Sequence, residues 1–138
     1  MSGEPLADAR VQAVLDIPLH RFLGVELRDR QDPSAGIRFQ VGTASENPAR
    51  LLHGGVVYAL LDVASFLALL PSLGPGEHAV THDVAASLLR PVSSGATVDV
   101  VATVLRRGRA VAFMRAEATV DGVLVASGQV TKSVVPLR

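Results

Sequence analysis

A chain of 138 residues, 49% of them hydrophobic and with a mean hydropathy of +0.36, can bury one domain-sized core, which excludes a disordered chain. Thirteen basic residues balance thirteen acidic ones, so no net field draws the chain to nucleic acid or to an anionic membrane. With no cysteine there are no disulfides, thiolate metal sites or thiol nucleophile, and a cytoplasmic protein is expected.

Residues 1–10 carry Glu4 and Asp8 and no basic segment followed by an apolar stretch, so a signal peptide is not expected. Leu6, Val11, Val14 and Leu15 share one face of a helix expected over residues 5–16. A turn through residues 18–23 follows, with Gly24 as a stop. Residues 25–30 and 37–41 alternate as two strands joined by a turn at residues 32–36. A loop over residues 43–52 leads into an apolar helix, residues 54–70, which Pro71 and Gly74-Pro75-Gly76 close. That helix is short for a membrane span, carries Asp62 and two glycines, and lacks basic flanks, so a buried core helix is expected. Four strands fill the rest: residues 80–89, then Val98, Val100, Ala102 and Val104, then Ala112 to Val120, with inward positions Leu124, Ala126, Gly128 and Val130 last. In the first of these, alternation puts Thr81 and Asp83 on one face and His82 on the other. Asp121-Gly122 is a two-residue hairpin signal. A helix apolar on nearly every side must be enclosed, so the fold class is α+β, a single domain over 1–138 in which an antiparallel sheet curls around one central helix.

Asp62 carries the functional argument, because an isolated ionised carboxylate in an apolar helix costs several kcal/mol unless it is paired or put to use. From His53 to Asp62 is nine residues, which on an ideal helix is half a turn after whole turns and about 13.5 Å of rise. The helix start and the acid therefore point apart, and one reaction using both needs two copies of the chain, a two-fold homodimer with two sites. Arg outnumbers Lys twelve to one, a bias that genome composition explains. Nucleophile-elbow, phosphate-loop and His-Glu-x-x-His patterns are absent, and the four histidines share no helix face with carboxylates, so no metal site is expected.

Asn47, then His53-Gly54-Gly55 six residues on, then Asp62 and an antiparallel β half, resembles the hotdog-fold acyl-CoA thioesterases of the phenylacetate-type (PaaI-like) group, over residues 19–134. The resemblance implies hydrolysis of an acyl-CoA to free acid and CoA by a homodimer or homotetramer, with sites at the subunit interface. It implies that the Gly54 N–H, with Asn47, polarises the thioester carbonyl, that Asp62 serves as general base or nucleophile, and that His53 supports the loop. Thr81 stands where the family often has a water-positioning Ser, and Arg50 where many relatives have Gly. Arg107, Gly108 and Arg109 match the turn that grips the CoA phosphates, with Arg90 a further candidate. Tyr58, Leu61, Ser65 and Phe66 are expected along the acyl pocket. No cofactor is called for, since a thioester is already an activated acyl group.

Each residue also has a plainer role: Asp62 as the cap of a neighbouring loop or the partner of an Arg inside the core, His53 as a helix-start residue, Asn47 as a turn residue before Pro48, Thr81 as a strand residue, and Arg106 to Arg109 as a solvated hairpin tip. Glu46-Asn47-Pro48 is similar to the hydratase branch of the same fold, but His53 follows Asn47 by six residues rather than about two. A non-catalytic acyl-CoA binder or sensor is the alternative from another class.

Overall fold

The computed structural model describes residues 6–137. Helix α1 (Ala9–Leu15) begins where Asp8 accepts the Arg10 N–H at 2.9 Å, so its start is set by this cap; position 5 lies outside the described residues. The expected turn over residues 18–23 is a helix, α2 (Pro18–Leu23). Pro18 presets the first helical φ, and Gly24, at φ 80, returns its N–H to the carbonyls of His20 and Arg21.

Strand β1 is only Glu26–Leu27, shorter than expected, because Asp29 accepts the Gln31 N–H and its carbonyl takes the Asp32 N–H, turning the chain early. Gly36, at φ 103, passes so close to β4 (Thr97–Arg107) that a Cβ there would lie 2.2 Å from the Val100 carbonyl oxygen. Strand β2 (Ile37–Gln40) follows, then the central helix α3 (Gly54–Leu69), which tightens into a 3-10 turn at Leu70–Ser72. The remaining strands are β3 (Glu77–Leu88), β5 (Val111–Val120) and β6 (Val123–Pro136). Asp121 and Gly122, both at positive φ, close the expected β5–β6 hairpin.

The six strands form one antiparallel sheet in the order β1-β2-β4-β5-β6-β3. Pairing slips by a residue at Val104/Arg106, Ala118/Thr119 and Thr81/Asp83, and such bulges bend and twist a sheet enough to wrap a helix. The concave face carries Ile37, Phe39, Val98, Val100, Met114 and Val130, all at most 1% exposed, and closes over Leu60, Leu61, Leu67 and Leu69 of α3. Each such side chain contributes about 1.5–3 kcal/mol by leaving water. The helix is thus a core element, as its all-round apolarity demanded.

Two bulges overturn expectations. In β6 the extra residue is Val125, so Leu124 pairs with Thr119 and leaves the inward face that Ala126, Gly128 and Val130 keep, while Val125 is buried. The bulge in β3 acts in the same way. His82 is the extra residue, so the inward phase passes from Ala79 and Thr81 to Val84 and Ala86. Thr81 points inward, but Asp83 does not share its face and is exposed. A bulge of one residue inverts every orientation beyond it.

Candidate active site

The loop before α3 is built around Asn47. Its Oδ1 accepts the N–H groups of Ala49 at 2.9 Å and Leu51 at 3.2 Å, and its carbonyl accepts from Arg50. The turn role is therefore filled by the side-chain oxygen, which leaves the Nδ2 amide as a donor. Arg50 sits at φ 62, in the left-handed region that glycine adopts without strain, which explains physically why Gly suits this position.

His53 caps α3, its Nδ1 accepting the Gly55 N–H at 2.9 Å. With Nδ1 as acceptor, the ring proton of the neutral imidazole is on Nε2. Val56 and Val57 both donate to the His53 carbonyl. Of the first helical N–H groups, that of Gly54 alone has no acceptor among the described residues, and it stands at the positive end of the helix dipole. Gly54 borders a cavity of about 290 Å³ whose other walls include Leu52, Val57, Leu60, Leu88 and Val98, with Asn47 and Arg90 supplying polar groups. This is an apolar slot with an unpaired amide at one wall.

Asp62 lies elsewhere, and its surroundings differ from the isolated carboxylate expected. Lys132 on β6 donates to Asp62 Oδ1 at 2.6 Å and to Thr81 Oγ1 at 2.6 Å, while Thr81 donates to the same Oδ1 at 2.5 Å. The Lys132 side chain is 4% exposed and that of Asp62 36% exposed, so the pair is buried on the cation's side and open on the acid's. Asp62 Oδ2 has no hydrogen-bond partner among the described residues. Thr81 and Lys132 meet because they are direct cross-strand partners just before the His82 bulge.

The helix geometry also needs correcting. The half-turn opposition holds for His53, but Gly54 to Asp62 is eight residues, roughly 80° past two whole turns, and about 12 Å of rise. Gly55, Tyr58 and Asp62, at the helical spacing i, i+3, i+7, form the less buried stripe of an otherwise enclosed helix. Within one protomer it is axial distance, and not opposite facing, that keeps the amide and the acid from one carbonyl.

The four candidate CoA contacts are not brought together. Arg90 is exposed beside the Gly54 cavity, whereas the β4–β5 tip lies by the C-terminal end of α3. Arg107 there is occupied: it donates to the carbonyls of Gly108 and Arg109 and pairs with Glu77 at 2.9 Å. Arg109 stays exposed, and Gly108 is held within 2.8 Å of the Val111 carbonyl were it to carry a Cβ. Of the expected acyl-pocket residues, Leu61, Ser65 and Phe66 are buried in the protomer's own core, and only Tyr58, at 39% exposed, faces outward.

An apolar helix enclosed by a curled six-stranded antiparallel sheet is the hotdog fold. The chain belongs to the thioesterase superfamily, whose model matches residues 50–127, and is a thioester hydrolase. A Haemophilus influenzae thioesterase is 26% identical with a TM-score of 0.83, over 97% of this chain and 94% of that one. A phenylacetic acid degradation-related protein from Ralstonia eutropha JMP134 is 28% identical with a TM-score of 0.76, over 90% and 96%. A Streptococcus mutans UA159 protein bound to acetyl-CoA shares the fold at 24% identity and a TM-score of 0.67, over 74% and 81%. No curated protein matches the chain.

Proposed function

We propose that this protein hydrolyses acyl-CoA thioesters to the free acid and CoA at two equivalent sites of a homodimer. The observation that carries the reading is that Gly54, whose N–H has no acceptor among the described residues, borders an apolar slot, while Asp62 on the same helix keeps one carboxylate oxygen without a partner among them. The thioester carbonyl accepts from Gly54 N–H and from Asn47 Nδ2 of one protomer. Asp62 of the other takes a proton from water on Oδ2 as the water oxygen bonds to the carbonyl carbon. The tetrahedral oxyanion then collapses, the C–S bond breaks, and the proton on Asp62 goes to the departing thiolate, giving acid and CoA. Direct attack by Asp62 would pass through an anhydride that water opens to the same products. The Thr81 hydroxyl proton is committed to Asp62, so Thr81 helps place water only as an acceptor.

The two-protomer site draws support from β3, a twelve-residue strand at the sheet edge with Val80 and Leu88 half exposed. An uncovered apolar edge of that length invites strand pairing with a second copy. A tetramer would be two such dimers. Of the candidates for the CoA phosphates, Arg90 and Arg109 are exposed, and Arg107 with Gly108 holds the shape of the tip. The acyl group would enter the Gly54 slot, flanked by Tyr58.

The test is an acyl-CoA panel of aryl-acetyl, benzoyl and medium-chain thioesters, assayed by free thiol release for wild type and Asp62→Ala. Turnover by wild type alone supports the reading. Micromolar binding with no turnover by wild type makes the protein a binder or sensor, and neither makes it a scaffold.

A further inference from the structure

We infer that Lys132 is a positioning residue for catalysis, pinning Asp62 through Oδ1 so that Oδ2 is the oxygen presented to water; this rests on the role proposed for Asp62. The sequence has one lysine among thirteen basic residues, and that lysine is the one buried beside the acid, 3% exposed. Genome bias explains arginine everywhere else but not this exception. A compact ammonium with three donors fits between a carboxylate and a hydroxyl, where a planar guanidinium fork does not.

Two of the three short contacts end on one carboxylate oxygen, and the third joins their donors. Lys132 Nζ reaches Oδ1 and Thr81 Oγ1 at 2.6 Å each, and Thr81 turns its own proton onto the same Oδ1 at 2.5 Å. The hydroxyl orientation is thereby set, since Thr81 accepts from the ammonium and donates to the carboxylate. The Phe66 ring, 5.8 Å from Nζ at its centroid and stacked on His78 at 4.9 Å, closes another side of the ammonium. The carboxylate cannot exchange its oxygens without breaking two charge-assisted bonds. The cation is enclosed and the acid is left open, so the contact that fixes Oδ1 leaves the other oxygen within reach of water.

The test uses the full-length protein and replaces the ammonium. Lys132→Met is expected to keep KM within about threefold and lower kcat about 100-fold, the scale of loss when a reacting group is misplaced by about 1 Å. Because the chain has no cysteine, Lys132→Cys supplies a single thiol. Alkylated under denaturant with bromoethylamine and refolded, it regains an ammonium on a lysine-length stem; alkylated with bromopropane, it gains a neutral stem of the same length. The aminoethyl form should recover at least a third of the kcat of wild type refolded in parallel, and the propyl form should stay near the Lys132→Met level. This comparison decides the case even if Lys132→Met fails to fold. Wild-type kcat in Lys132→Met, or equal recovery by the two adducts, overturns the assignment. Asp62→Asn serves as the control: if it turns over like wild type, the reading of Asp62 falls and this inference with it. An inactive Asp62→Asn beside a fully active Lys132→Met sinks Lys132 alone.

Discussion

Removing a reactive carboxylate ordinarily relaxes a protein, yet Asp62→Ala should destabilise this one. The substitution leaves a Lys132 ammonium, 4% exposed, and the Thr81 hydroxyl without their shared acceptor. Breaking a fully buried pair from one side costs about 3–5 kcal/mol. Asp62 is 36% exposed, so water can enter the vacated space and solvate Nζ, which brings the figure to about 2 kcal/mol. For a domain of this size that is a fall in Tm of roughly 5–10 °C. Asp62→Asn, which keeps a carbonyl oxygen for both donors, should lose about half as much. The double variant Asp62→Ala with Lys132→Met should recover most of the loss, and the shortfall from additivity measures the coupling. Thermal unfolding by far-ultraviolet circular dichroism is the suitable assay, since the chain has no tryptophan and one tyrosine. An Asp62→Ala protein melting at or above the wild-type temperature would refute the ion pair as described.

Three further outcomes are expected. Gly36→Ala should cost more than about 3 kcal/mol, because φ 103 with ψ −167 is a glycine-only conformation and the new Cβ would meet the Val100 carbonyl at 2.2 Å; a melting temperature within a few degrees of wild type would contradict this. Arg50→Gly should raise stability by up to about 1 kcal/mol by releasing a left-handed residue, with thermal melting as the check. Asp8 has its pKa lowered, first by the Arg10 side-chain hydrogen bond, so its contribution is complete above the ordinary value near 3.8 and is lost as pH falls through the lower folded value. Since Arg10 also ties α1 to the carbonyls of Gly74 and Glu77, amide exchange in α1, corrected for its intrinsic pH dependence, should quicken across that acid range in wild type and not in Asp8→Asn.

Alternation and punctuation made most of the fold legible before any coordinates. Val98, Val100, Ala102, Ala112, Met114, Ala116, Ala118, Ala126 and Val130 all face the core as their spacing demanded. The segment at Pro18–Leu23 was harder, because six residues carry too little periodicity to separate a helix from a turn, and its Pro and Gly punctuate either. The early end of β1 came from an Asp29 side chain bonding its own backbone, a local competition that apolar pattern does not register. Asn47, His53 and Gly54 lie together at the helix start, since loop, cap and first helical amide are all local in sequence.

Lys132 was missed although a signal for it exists. The inward run Ala126, Gly128, Val130 reaches Lys132 one step further on, and a charge continuing an inward phase is either the end of the strand or a buried group with a partner. The partner is 70 residues away on α3, and the third member sits on β3, so no local spacing links them. The bulge at His82 hides the cluster further: it lets Thr81 face the helix as Lys132's cross-strand partner while Val84 and Ala86 still point inward beyond it. Strict alternation through β3 would have sent Val84 and Ala86 outward or turned Thr81 away from the acid. The irregularity thus reconciles an apolar core with a polar cluster on one strand, and it lies in the segment next to Asp62.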